Sequence, residues 1–388
     1  MRSGRESKLC FDQVQGLTQR ILEGVCLSVN PSFLCSVATV LHVVVVAAGR
    51  MLSIFAACLQ LNSLSDQTVR DLLRAALPKR LHVLQARLNR ALLEPLPART
   101  RRRARDLALD LHEIPFHGKP RRKNHVVGRK PKAGTTKFFA YATACLVERG
   151  HRYTLAVVWV RQGDSMAEIV DHLLTGVAES GIRVRKALLD RGFFSTSVMR
   201  LLQEKTIPFL MPVVFRGRKP KAGRKHTGLR AYLQKPAGWY RYVHGKGQSV
   251  VTTRVWVVYK SYRHHRSGKR HNKKLVYASW RVGGTGVAIR ENYRKRFGIE
   301  ASYRQLGQAR VRTSTTDPLL RLFFVGVALL LRNVWVYVLW SLFDEQNDAA
   351  TQQRAKRVQF KRLLSALVAH AEFHLPKKTS IFDEAHSC

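Results

Sequence analysis

The order in which strand-like and helix-like segments follow one another between residues 106 and 215 limits this chain to few folds. DLALDLHEIPF alternates apolar and polar residues as a half-buried strand does, and KFFAYATACLVE with RYTLAVVWVRQ reads as a β-hairpin turning at Arg149-Gly150-His151. SMAEIVDHLLTGVAESG opens on a Ser cap and closes on Gly181, the signature of a helix. RVRKALLDRGFF then reads as a buried strand, STSVMRLLQEKT as a helix and PFLMPVVF as another strand.

Three strands, helix, strand, helix, strand is the order of the RNase H-like fold, an α/β architecture with a mixed sheet flanked by helices. The helix that should complete it is RENYRKRFGIEASYRQLGQAR, read as one helix despite Gly298. Residues 205 to 290 intervene as an insertion, and segments such as TTRVWVVYK and KLVYASWRV make it β-rich. Upstream, residues 1 to about 100 read as helices. In SLSDQTVRDLLRAAL, Ser65 can cap while Val69, Leu72, Leu73 and Leu77 share one face, which suits a packing helix or half of a helix-turn-helix. RTRRRARD is a charged linker. The expected division is an all-α N-terminal domain at 1–100 that binds DNA ends, a catalytic core at 101–215 and 291–345, a basic insertion at 216–290, and a C-terminal helix and tail at 346–388.

Composition names the partner class. Against 68 Lys and Arg stand 25 Asp and Glu, a formal charge of +43 that only a polyanion relieves, and nucleic acid is the obvious one. Between Lys205 and Arg290 there are 21 Lys and Arg and no acid at all, so each acidic residue elsewhere can be questioned singly. Six cysteines lie far apart without zinc-ribbon spacing, as expected of free thiols in a reducing compartment. The start, MRSGRESKLCFDQVQG, lacks a compact apolar stretch of secretory type. Two apolar runs, Phe33 to Leu61 and Leu319 to Leu342, are interrupted by His42 and Arg50 and by Arg321, Arg332 and Asn333. Neither reaches about 18 uninterrupted apolar residues, so both are expected to be buried helices and not membrane spans.

Asp110 sits on the first strand of this order and Asp190 ends the fourth. In an RNase H-like sheet those strands are neighbours, so the two carboxylates approach each other and need a cation between them. Two divalent ions about 3.5 to 4 Å apart suit phosphodiester chemistry. A third carboxylate from a nearby helix would complete the set, and Glu300 is placed for it. At 100° per residue Tyr293, Arg296 and Glu300 fall within about 60° of one another with Tyr303 on the same face, while Glu291 lies roughly 180° away, as a solvated or first-turn acid. Singly, Asp110 suits a cap or turn and Asp190 a turn; jointly with Glu300 they suit catalysis.

Tyr293-x-x-Arg296-x-x-x-Glu300 resembles the signature around the third acid of a large group of prokaryotic insertion-sequence DDE transposases. LALDLHEIPFHGKP is similar to their first-Asp segment, LLDRGFF, with Asp190 followed by Arg191, to their second, and RTSTTDPLLRLFFVGVALLLRNVW to the continuation after the Glu. The resemblance spans residues 105 to 340. One departure stands out: the family pattern has a Lys seven residues beyond its Glu, and Gly307 stands here, so that role is not carried over. The resemblance implies catalysis by Asp110, Asp190 and Glu300 holding two Mg²⁺, with Mn²⁺ as substitute. It implies DNA contacts from Arg191, Tyr293, Arg296 and Tyr303, and double-stranded DNA as partner, both element ends and target. A homodimer on DNA and a cytoplasmic, nucleoid-associated location follow from the same family. Members with this helix and a β-rich insertion form a hairpin at the DNA end, with a flipped base on an aromatic ring. Trp239 and Trp256 are the candidates, each alternatively packing a small core. A nuclease that never joins strands, and a DNA-binding relative with idle acids, are the competing readings.

GRKPKAG occurs twice, at 128–134 and 217–223. Gly and Pro punctuate both copies, so both are expected to be flexible loops near the carboxylate edge of the sheet. There Arg129, Lys130, Lys132, Arg218, Lys219 and Lys221 would flank the DNA path. His112, His117, His264, His265 and His271 lie among cations, which argues against zinc.

Overall fold

The computed structural model describes residues 10–27, 36–121, 125–148, 151–217, 226–245, 247, 250–263, 268–297, 305–343 and 358–375. Five helices come first: α1 (Phe11–Val25), α2 (Val37–Gly49), α3 (Ile54–Leu61), α4 (Asp66–Ala76) and α5 (Leu81–Leu93). The Ser65 hydroxyl accepts from the Thr68 amide to cap α4, and Val69, Leu72 and Leu73 point into the core as the spacing requires.

The sheet is built by β1 (Arg105–Pro115), β2 (Val127–Lys132), β3 (Thr135–Glu148), β4 (His151–Val160), β5 (Val184–Leu189), β6 (Phe209–Pro212), β7 (Gly238–His244), β8 (Val251–Arg263) and β9 (Arg270–Trp280). The helices α6 (Met166–Glu179) and α7 (Thr196–Glu204) connect β4 to β5 and β5 to β6. The Ser cap expected of α6 is present, Ser165 forming a capping box with Glu168, and Ser195 caps α7 by accepting from the Val198 amide. Strand order is β2-β3-β1-β5-β6-β9-β8-β7, with β4 on the outer edge of β3. Read as β4-β3-β1-β5-β6, the middle is the RNase H-like order, β1 antiparallel to β3 and parallel to β5. The strands of the insertion do not stand apart. β9 pairs antiparallel with β6, and β8 and β7 extend the same sheet.

Period-two alternation sends the two faces of the central strands into separate cores. Leu107, Leu109 and Leu189 join the main core with α1, α5 and the long helix α9 (Pro318–Phe343). Ala108, Leu188 and Leu210 pack with Trp256, Tyr277, Ile289 and Tyr293 on the other face, where α8 (Gly286–Arg294) lies.

The polar residues that interrupt the second apolar run all have work to do in α9. The outer edge of β4 has no strand beyond it over this stretch, and amide side chains complete it. Asn333 Oδ1 accepts from the Thr154 amide at 2.9 Å while its Nδ2 donates to the Thr154 carbonyl at 2.7 Å, and Asn89 and Gln85 of α5 accept from Val157 and Trp159. Arg332 donates to the Arg152 carbonyl, and the Arg321 guanidinium lies 4.0 Å from the centre of the Phe139 ring. A Cβ at Gly326 would meet Leu88 at 2.3 Å, so only glycine lets α9 approach α5 this closely. α9 is long and apolar enough to cross a membrane, but 94% of its apolar window is buried inside the fold, and α2 with α3 is a pair bent by 107°. A last helix, α10 (Phe360–Phe373), packs on α2.

Two sequence expectations need correction. The first GRKPKAG copy is no flexible loop: residues 127–132 form β2, and Lys132 pairs with Thr135 across a two-residue turn at Ala133 and Gly134, both with positive φ. Pro131 is tolerated because β2 is an edge strand whose register is irregular between Gly128 and Lys132. Of the second copy only Gly217 is described, and Arg218, Lys219 and Lys221 lie outside the described residues. The helix expected at residues 290–310 begins earlier, at Gly286 under a Thr285 cap, and tightens into a 3₁₀ turn at Lys295–Phe297. Gly298, Glu300 and Tyr303 lie outside the described residues. Cys26, Cys58 and Cys145 are buried free thiols and Cys10 an exposed one; Cys35 and Cys388, like His264 and His265, lie outside the described residues.

Candidate active site

Leu109 of β1 and Leu189 of β5 are register partners in the parallel pair, so the residues that follow, Asp110 and Asp190, stand side by side where β5 ends. Asp110 shares the parity of Ala108 and faces the side covered by α8. It is buried, and its Oδ1 accepts from the Leu111 amide at 2.9 Å. Asp190 leads into a 3₁₀ turn at Arg191–Phe193, with its side chain about half exposed.

Arg296, in the 3₁₀ turn that follows α8, joins them. Its Nη2 lies 3.0 Å from Asp110 Oδ1 and 3.5 Å from Asp190 Oδ1. The guanidinium is almost wholly buried, lies 5.9 Å from the centre of the Tyr293 ring, and has Nη1 3.5 Å from the Tyr293 hydroxyl. Among the described residues its Nε has no hydrogen-bond partner. One cation therefore serves two carboxylates. Burial raises the Asp110 carboxyl to about 6; Arg296 opposes the rise and Asp190 adds to it. Burial pulls the Arg296 guanidinium down, but Tyr293, Asp110 and Asp190 outweigh it and the net direction is up. Burial, first of its causes, drives the Tyr293 phenol up.

Asp190 opens onto a cleft of about 730 Å³ between α8 and the β8–β9 hairpin, while Asp110 lies buried. Arg191, Tyr293 and Arg296 line it, as does Asp190. Sequence reasoning missed Lys260, Lys273, Lys274, Arg290 and Arg294, which make its walls basic. The signal was present in the acid-free stretch from Lys205 to Arg290, but only strand pairing shows which of its 21 cations converge. Glu291 is exposed and paired with Arg294 at 3.0 Å, as a solvated acid and not a first-turn one.

The remaining candidates scatter. Arg129 pairs with Glu113 at 3.1 Å, and Lys130 and Lys132 are exposed on β2, whose turn lies beyond the C-terminal end of β1, with Thr135 donating to the Phe116 carbonyl. Trp239 is 55% exposed on β7 with Arg254 over its ring at 5.0 Å. Trp256 is buried and donates its indole N–H to Ser279 Oγ at 2.8 Å, so it packs a core and offers no platform for a base.

The donor set suits a hard divalent cation. Two carboxylate oxygens within 3.5 Å of one positive nitrogen already bracket a cationic centre, and oxygen ligands are those Mg²⁺ prefers. Among the described residues no third carboxylate, histidine or cysteine joins them.

A carboxylate pair at adjacent strand ends of this sheet places the chain among the RNase H-like proteins. Within that class, residues 101–331 match the model of the Transposase DDE domain, and the chain belongs to that family. Solved structures with the same fold include a piggyBac transposase synaptic complex with hairpin DNA, at a TM-score of 0.52 and 11% identity over 97% of this chain and 82% of that one. No curated protein matches the sequence.

Proposed function

We propose that the protein binds the terminal inverted repeats of an insertion sequence, cuts them in a metal-dependent reaction, and joins the freed 3′-hydroxyl ends to target DNA by cut-and-paste. The observation that carries this reading is the pair Asp110 and Asp190, sharing the guanidinium of Arg296, which with Asp190 lines a cleft with basic walls. Asp110, Asp190 and Glu300 are the residues to hold two Mg²⁺, with Mn²⁺ as substitute. Bound there, the metal supplies Lewis acidity for the attacking and leaving oxygens of a phosphodiester.

The chain's own side chains do the rest. Arg296 offsets the repulsion between the two carboxylates and holds them on one side of the cleft. Arg191 and the cleft lysines neutralise phosphates, and the buried Tyr293 fixes the guanidinium from behind. Exposed Trp239 is the ring available for stacking on an unpaired base, and Tyr303, Lys130 and Lys132 belong to the same DNA path. Cutting two ends in one event calls for a homodimer bridging them, in the cytoplasm on the nucleoid.

The test uses DNA flanking the gene, which should carry matching inverted repeats, offered to the purified protein in Mg²⁺ with labelled ends. The 3′ ends are expected to appear covalently joined to a second duplex. Cleavage without joining leaves a nuclease. Full activity in D110N, D190N and E300Q variants leaves a protein whose chemistry is elsewhere.

A further inference from the structure

Opposite the acids, the N-terminal ends of β1 and β5 carry a second concentration of positive charge. Most of these arginines have structural duties. Arg99 donates to the Trp340 carbonyl at 3.1 Å near the C-terminus of α9, and Arg101 to the Ser180 carbonyl at 2.8 Å where α6 ends, both at the negative pole of a helix. Arg105 pairs with Glu148 at 2.6 Å, and Arg185 with Asp106 at 2.6 Å.

Arg102 and Arg103 have none. Both are exposed, and among the described residues their guanidiniums hold no hydrogen bond or ion pair. They line a hollow of about 270 Å³ with Arg99, Arg105, Glu148 and Trp340, so four arginines face one carboxylate that Arg105 already engages. Trp340, 94% buried, closes one wall of the hollow. Surplus guanidiniums around one hollow suit phosphate oxygens.

We propose that this arginine hollow is a second DNA-binding surface, which grips the backbone of a duplex other than the one at the acids. Arg105 and Asp110 are five residues apart on one strand, about 17 Å at the rise of a β-strand. They lie towards opposite ends of the parallel β1–β5 pair. A duplex lying over the acid end leaves the arginine end uncovered. The surface deepens the transposition reading, on which its biological use rests: a protein that joins DNA to DNA must hold two duplexes at once.

The experiment titrates the full-length protein with a 20-base-pair duplex of arbitrary sequence, measuring stoichiometry by sedimentation and affinity as a function of salt. Wild type is expected to load two duplexes per protomer at low salt. R102Q/R103Q should load one, and the salt slope of the lost binding step should be about 2, one per phosphate contact removed. K260Q/K273Q, altered in the acid-side cleft, should also load one but keep the step that R102Q/R103Q loses. Thermal melts of both variants check folding. Wild-type stoichiometry and salt slope in R102Q/R103Q would overturn the proposal, as would a preference of that step for an RNA duplex over DNA. Failure of the transposition reading looks different: both duplexes still bind, but no strand is cut in Mg²⁺.

Discussion

Asp106 and Asp110 lie four residues apart on β1, on the same face, and both are buried, yet their surroundings differ in kind. Asp106 has two cations to itself, Arg185 at 2.6 Å and Lys186 at 3.5 Å, and Lys186 also donates to Asn292 of α8 at 2.9 Å. Asp110 has one, and shares it with Asp190. The first arrangement satisfies a charge and ties three elements together. The second leaves a site short of positive charge and open to a cleft. Burial marks both residues; on the proposed function, the ratio of cations to carboxylates is what separates a structural acid from a reactive one.

The largest effect that would sharpen this contrast is on rate. Asp190→Asn is expected to lower strand cleavage by about 10³-fold, the loss of several kcal/mol of charge stabilisation. Asp106→Asn should leave the rate per folded molecule within about three-fold, since a kinetic parameter follows only groups at the reacting atoms. Equal losses in both would break the distinction.

Stability should reverse the order. Removing Asp106 strands the mostly buried Lys186 ammonium, a cost of about 2–4 kcal/mol in urea unfolding, whereas Asp190→Asn touches a half-exposed side chain and should stay within about 1 kcal/mol.

The response to pH is next. The Asp110 carboxyl holds its proton up to about 6 in the folded chain against an ordinary 3.8, so the folded state binds more protons between those values. Its contribution to stability is full below pH 4 and is lost as pH rises through 6, a fall of ~3 kcal/mol. Asp110→Asn should flatten the urea midpoint across that window; an unchanged slope would show that other groups produce it. The smallest effect concerns the edge strand, where neutralising Lys130 and Lys132 should lower the salt slope of DNA binding by at most about 2 and leave stability within about 0.5 kcal/mol.

Much of this was legible in the sequence where a local rule and the fold agree. Serine caps at Ser65 and Ser165, the strand order, and the convergence of Asp110 with Asp190 all follow from periodicity and topology. β2 was not legible, because Gly and Pro read as breakers and only an edge position makes Pro131 harmless. Asp106 passed unnoticed since its partners, Arg185 and Lys186, come from a strand about 80 residues on. The exposure of Trp239 and the burial of Trp256 were equally out of reach. The two are cross-strand partners, and only packing beneath β8 separates them.

The central claim is that Asp110 and Asp190 hold metal with Glu300. A crystal structure of the DNA-bound protein grown with Mn²⁺ tests it most directly. Anomalous peaks touching both aspartates, with Glu300 on at least one of them, are the predicted result. Manganese bound elsewhere, or a Glu300 carboxylate directed away from the aspartates, would contradict it.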